Sequence, residues 1–192
     1  VIINLLSTLG EAKAQTFSCD GTMYLNQANI LYEIGTSTNP FTYAPVATLP
    51  SSISVDGFNA LGYNPVDNYM YGIIGSSNKV VQISKPGGVI TFTDLGAPIG
   101  LPAASGATAY YNAGEFDSSG YYYVKVFTSN NIIYRIDLGT NIATPIVLSQ
   151  SVHFADFTYN KVDGKFYGVD RVTGNLLAIV VNTLDLTGTV TD

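Results

Sequence analysis

Carboxylates are the main chemical resource of this chain. Glu115, Asp117, Asp156 and Asp163 all flank apolar, tyrosine-rich runs. A pair of carboxylates, one with a raised pKa, is the equipment of glycoside hydrolysis. Glu115 and Asp117 stand two apart on what reads as one strand, so they share a face. Asp117 and Asp163 also open turns, where an Asp side chain accepts hydrogen bonds from backbone amides just downstream. Turn chemistry accounts for them and leaves Glu115 and Asp156 as the free carboxylates. Tyr111, in the pair Tyr110-Tyr111, adds a hydroxyl near a strand end. Glu115, Asp156 and Tyr111 form the candidate binding set, and no catalytic residue is assigned.

Other reactive residues point elsewhere. His153 is the only histidine, so a multi-histidine metal site is excluded and a Ser-His-Asp triad would have to be built around it alone. Its place before an apolar strand predicts a surface or loop-tip position. Ser76-Ser77-Asn78-Lys79 has the Ser-x-x-Lys form of some acyl-transfer enzymes. There the nucleophile opens a helix, whereas this segment reads as a hairpin turn, and the match is rejected. Cys19 is the single cysteine, too few for an internal disulfide or a zinc cluster. It reads as a small buried apolar side chain. Calcium could be held by the aspartate turns, but no Asp-x-Asp-x-Asp-Gly loop occurs, so a structural role ranks first. No cofactor is expected.

Elements that could position these residues emerge from a repeat. Tyr63-Asn64-Pro65-Val66-Asp67-Asn68-Tyr69-Met70-Tyr71-Gly72 recurs 96 positions on as Tyr159-Asn160-Lys161-Val162-Asp163-Gly164-Lys165-Phe166-Tyr167-Gly168. Phe116-Asp117 to Val124 lies between them, with an extra turn residue after its aspartate, and Cys19-Asp20 to Leu25 lies upstream. Asp20, Asp67, Asp117 and Asp163 are spaced 47, 50 and 46 residues apart. Each aspartate turn leads into an apolar strand: residues 22–26, 69–74, 121–127 and 165–170. Second strands follow at 30–34, 80–83, 132–136 and 176–181, and third strands at 46–49, 90–95, 145–148 and 187–191. Strands entering the turns read at 58–63, 107–111 and 154–159. β-branched and aromatic runs bounded by Gly, Asn, Pro and Asp are the marks of antiparallel hairpins. Helical spacing is not sustained anywhere.

Four strands per 45–50 residues is the pattern of a β-propeller blade. A lone four-stranded sheet cannot cover its own faces, so neighbours stack and bury a shared core. The chain is therefore expected to be all-β, with about four blades of four antiparallel strands in an incomplete ring. Residues 15–192 form this domain, in units near 15–54, 55–100, 101–150 and 151–192. The alternative is a ring closed by pairing Thr189–Thr191 near residues 16–20.

Composition bounds the function. Charged residues are only 11% of the chain, so Ser, Thr, Asn, Gly and Tyr must supply the polar surface, a habit of extracellular proteins. Eight scattered basic residues and a net charge of −6 exclude nucleic acid as a partner. Val1 to Leu6 is apolar, and Ala12-Lys13-Ala14 before Gln15 has the small-x-small form of a signal-peptidase site. Residues 1–14 read as the remnant of a secretion signal, with an N-terminal strand or short helix as the alternative. No apolar run is long enough to span a membrane.

Phe17-Ser18-Cys19-Asp20-Gly21, Asn59 to Asp67, Gly100-Leu101-Pro102, Tyr111-Asn112-Ala113-Gly114-Glu115-Phe116-Asp117 and Ala155 to Gly168 together carry a family resemblance. The chain resembles, over about residues 17–192, a family of propeller-like domains of unknown function in secreted and surface-anchored bacterial proteins. The resemblance implies an exported module and supplies no catalytic residues. The expected function is non-enzymatic recognition or adhesion, or a structural role, at or outside the cell surface, toward an extracellular glycan or protein. The alternative is a hydrolase or lyase with its site at the axial mouth of the propeller.

Overall fold

The computed structural model describes residues 16–17, 21–75, 77–104 and 110–192. The secretion-signal segment 1–14, Cys19, Asp20 and Ser76 fall outside the described residues. Among the described residues there are fifteen β-strands, one short 3₁₀ turn at Pro86–Gly88 and no α-helix. No helix is long and apolar enough to cross a membrane among those residues.

The strands form antiparallel meanders, and the turns of Asp67, Asp117 and Asp163 join the first and second strands of three of them. The first comprises β1 (Met23–Gln27), β2 (Ile30–Gly35) and β3 (Thr42–Thr48). The second comprises β4 (Phe58–Tyr63), β5 (Met70–Ile74), β6 (Val80–Ser84) and β7 (Thr91–Gly96). The third comprises β8 (Tyr111–Phe116), β9 (Tyr122–Val126), β10 (Asn130–Asp137) and β11 (Ile142–Val152), and the fourth β12 (Phe154–Asn160), β13 (Lys165–Asp170), β14 (Leu176–Asn182) and β15 (Thr187–Thr191). The third and fourth meanders join into one eight-stranded sheet in the order β12-β13-β14-β15-β11-β10-β9-β8. The joint is a parallel pairing of Val147 with Thr187 and Leu148 with Gly188. The edge strands β8 and β12 also pack together, so this sheet curls until its edges meet.

The turns work as their side chains dictate. Asp67 accepts from the Tyr69 amide at 2.9 Å and the Tyr71 hydroxyl at 2.6 Å, and Asn64 accepts from the Val66 amide at 3.0 Å. Asp163 accepts from the Lys165 amide and, at 2.6 Å, the Tyr167 hydroxyl. In the third meander Asp117 does both jobs, accepting from the Ser119 and Tyr121 amides and the Tyr123 hydroxyl. One residue serving for two makes this turn, Phe116↔Tyr122, one residue shorter than Tyr63↔Met70 and Tyr159↔Phe166. The extra residue expected after Asp117 is thus offset before it.

One sequence expectation needs correction. The strand entering the third turn is β8 at Tyr111–Phe116, not 107–111. Asn112-Ala113-Gly114 has turn-like composition, but Gly114 lies within β8 because β4 runs too close for a side chain there. Thr189–Thr191 pair with Val180, Ile179 and Ala178 on β14, and the Phe17 amide donates to the Asn68 carbonyl at 2.9 Å; residues 18–20 of the alternative ring closure lie outside the described residues.

The core lies between successive meanders. Tyr71, Ile73 and Val80 of the second pack on Tyr122, Val124 and Ile136 of the third. Tyr123 and Ile133 of the third pack on Phe154, Phe166, Leu177 and Ile179 of the fourth. Leu31 and Tyr24 of the first pack on Phe58, Met70 and Val81 of the second. One face of each β-sheet therefore points forward along the chain and the other back. The leading strands β4, β8 and β12 lie side by side, and β1 touches β4.

Candidate functional site

Glu115 and Asp156 come together on adjacent leading strands, β8 and β12. The Gly114 amide hydrogen-bonds the Asp156 carboxylate, and the Thr158 hydroxyl of β12 donates to Glu115 Oε2 at 3.4 Å. Each carboxylate also accepts from the next residue's amide, Phe116 at 2.8 Å and Phe157 at 2.9 Å. Burial pushes the Glu115 pKa up to about 7, and the charge of Asp156 adds to the rise against the pull of these donors. Asp156 keeps solvent contact, yet the crowding strands raise it to about 6, with the Phe157 and Gly114 amides opposing. Buried Tyr122 lies near both carboxylates, and its hydroxyl donates to the Ala60 carbonyl of β4. Near neutral pH the pair therefore carries proton-donating and proton-accepting capacity.

A cavity of about 380 Å³ opens at Glu115. Its walls include Phe17, Tyr24, Leu61, Tyr63 and Met70, from the first two meanders and the segment before β1. Phe17 and Tyr24 meet edge to face with ring centroids 5.3 Å apart. Among the described residues the lining holds one carboxyl, hydroxyls and backbone and no Lys, Arg or His, while Lys85 donates to the hydroxyl of the lining residue Tyr24 at 3.2 Å.

Strand register explains why these two carboxylates are exceptional. Gly62, Glu115 and Thr158 all face the repeated tyrosines Tyr71, Tyr123 and Tyr167. Two positions earlier stand Ala60, Ala113 and Asp156. Glu115 and Asp156 thus occupy positions where sister meanders carry small or neutral residues. Departure from the repeat is the sequence signal that singles them out.

The other candidates are placed differently. Tyr111 sits buried at the far end of β8, its hydroxyl donating to the Pro102 carbonyl at 2.9 Å. His153 is half-buried rather than at a loop tip, edge-on to Phe127 at 5.2 Å, because β11 and β12 run on with a single residue between them. Lys79 forms an ion pair with Asp94 at 2.8 Å. Among the described residues no group of three or more His, Cys, Asp or Glu is placed to hold a metal ion. The cavity residues Phe17, Tyr24 and Met70 carried no sequence signal, since each reads as ordinary core.

Residues 19–192 match a family model described as a repeat of unknown function, DUF6923. The chain belongs to that repeat family. No curated protein matches the chain. Among solved structures, an auxiliary nutrient binding protein from Bacteroides thetaiotaomicron is similar at 14% identity and TM-score 0.60, over 92% of this chain and 40% of that one. A nidogen/laminin complex is similar at 15% and 0.57, over 88% and 60%. Virginiamycin B lyase from Staphylococcus aureus is similar at 16% and 0.53, over 94% and 55%. At these identities the likeness is one of fold, all-β and propeller-like, on which binding proteins and an enzyme are both built. This repeat-family chain spans between 40% and 60% of the length of those structures.

Proposed function

We propose that this member of the repeat family is a ligand-binding module, built from four propeller blades in units near 15–54, 55–100, 101–150 and 151–192. Its site is the cavity at the axial mouth, and its ligand is a neutral, hydroxyl-bearing molecule with an apolar face, a sugar being the simplest case. The observation that carries this reading is Glu115, a carboxyl with a pKa of about 7 at the wall of a cavity of about 380 Å³ lined by aromatic rings. That volume lies in the range of small-molecule sites. Rings offer flat apolar platforms, and a carboxyl that is half-protonated near neutrality both donates to and accepts from hydroxyls. The Glu115 carboxyl in the wall disfavours anions. Scarce surface charge and the family resemblance support work outside the cell or at its surface.

Isothermal calorimetry with neutral oligosaccharides of glucose, xylose and N-acetylglucosamine tests the proposal. Binding by at least one, weakened roughly tenfold by Tyr24→Ala or Glu115→Gln, is the expected result. Failure of all three classes to bind, or binding that ignores both substitutions, would overturn it.

A second reading rests on the Glu115–Asp156 pair. Two adjacent carboxylates with pKa values near 7 and 6 suit general acid–base chemistry, so a hydrolase or lyase is the rival. Product formation from the same oligosaccharides, abolished by Asp156→Asn while binding persists, would favour the rival.

A further inference from the structure

We infer that Lys125 and Asn130 are the precursors of an intramolecular amide cross-link, in which the lysine Nζ replaces the side-chain nitrogen of the asparagine and ammonia leaves. The pair spans the hairpin of β9 and β10. Lys125 Nζ donates to Asn130 Oδ1 at 3.1 Å, so the amine rests against the carboxamide it attacks. It also donates to the Thr128 carbonyl at 2.9 Å and the Val126 carbonyl at 3.4 Å, which hold it in place. Two reactants fixed in this way need no encounter, the largest entropic obstacle to their reaction.

The rest of the equipment surrounds the carboxamide. The Ile132 amide donates to Asn130 Oδ1 at 3.0 Å, the oxygen on which negative charge develops as an amine adds to the carbonyl. Asn130 Nδ2, the leaving nitrogen, donates to the Thr128 hydroxyl at 3.1 Å, and that hydroxyl is placed to relay a proton to it. In balance, the Nζ–Cγ bond forms and the Cγ–Nδ2 bond breaks. One Nζ proton leaves with the departing ammonia, and no outside reagent is consumed.

Lys125 also stands where a charge is least welcome. Strand register puts it two residues after the repeated tyrosine, where the sister meanders hold Ile73 and Val169. It is 0% exposed, and among the described residues no carboxylate forms an ion pair with it. The charge of Asp170 favours the ammonium, but burial outweighs it and lowers the lysine pKa to about 8, which leaves a share of free amine at neutral pH. Burying an unpaired ammonium is costly, and an amide in its place carries no charge. The hydrogen-bonded pair, in which Lys125 still titrates, is the state before closure.

Mass spectrometry of the denatured full chain, after storage at mildly alkaline pH, tests the inference. The expected mass is that of the sequence less one ammonia, and trypsin should no longer cut after Lys125. Lys125→Met and Asn130→Ala should each keep their full mass, with circular dichroism verifying their folds. An asparagine that cyclises on its own backbone loses the same ammonia, but it leaves Lys125 open to trypsin and does so in Lys125→Met as well. A native chain of full mass, a deficit with Lys125 still cleaved, or a deficit that survives in Lys125→Met would each overturn the inference. The first two measurements decide the matter even where a variant fails to fold.

Discussion

Gly114 on β8 passes so close to Ala60 on β4 that a β-carbon at Gly114 would overlap the Ala60 carbonyl group and meet the Ala60 Cβ at 2.9 Å. This approach brings Glu115, the next residue, to the cavity wall beside Gly62, and lets the Tyr122 hydroxyl reach the Ala60 carbonyl. Backbone on the facing strand cannot give way as a flexible side chain would. Gly114→Ala is therefore expected to destabilise the fold by about 3 kcal/mol or more, read by urea denaturation. A loss under about 1 kcal/mol would show that β4 and β8 are not held at this separation.

The aspartate turns are structural, and their loss should register as stability. Asp67→Ala leaves the Tyr71 hydroxyl and the Tyr69 amide without their acceptor. The expected loss is about 2 kcal/mol, and Tyr71→Phe, which removes one of these bonds, should lose about 1 kcal/mol. Denaturant midpoints of the two variants are the measurement.

Lys125 is fully buried, with its ammonium donating to the Thr128 carbonyl at 2.9 Å and to Asn130 Oδ1 at 3.1 Å. Burial lowers its pKa to about 8, against the favourable charge of Asp170. The unfolded chain holds this proton more tightly, so the Lys125 contribution to stability rises with pH above about 8. Lys125→Ala empties the site and takes a donor from the Thr128 carbonyl and from Asn130 Oδ1, which keeps the Ile132 amide at 3.0 Å, with an expected loss of about 3 kcal/mol at neutral pH.

Glu115 predicts the opposite slope. Its folded pKa of about 7 lies above its ordinary value of 4.5, so the folded state binds the proton more tightly. The associated stability is fully present below about 4.5 and is lost as pH rises through about 7. Asp156, raised to about 6, acts in the same direction. Partial solvent contact reduces the effect of Glu115 to about 1–2 kcal/mol. Glu115→Gln should be more stable than the native chain at pH 8 by that amount and equal to it at pH 4. Chemical denaturation at the two pH values checks the sign.

Much of the strand plan was legible because each unit announces itself chemically. Asp67 and Asp163 sit before tyrosines that hydrogen-bond back to them, and the strands that follow, β5 and β13, lie within a residue of their expected bounds. β8 was misplaced because Gly114 answers to the proximity of Ala60, a contact 54 residues away that local composition does not encode. The parallel joint of β11 and β15 was illegible for a similar reason. Gly188 admits it by leaving room for Leu148, whose Cδ2 would lie 2.6 Å from an added β-carbon. At the site, elimination isolated Glu115 and Asp156, since turn chemistry had already accounted for Asp117 and Asp163. Tyr111 looked available because tyrosine hydroxyls on strand ends are often exposed, but the Pro102 carbonyl accepts its hydrogen bond.

The direct test of the account is the titration of Glu115 itself, followed through its side-chain carboxyl carbon by NMR and assigned with Glu115→Gln. A midpoint near 7 is predicted for a carboxyl enclosed at the cavity wall beside Asp156. A midpoint near the ordinary 4.5 would mean the group is freely solvated, and the proposed site would not exist as described.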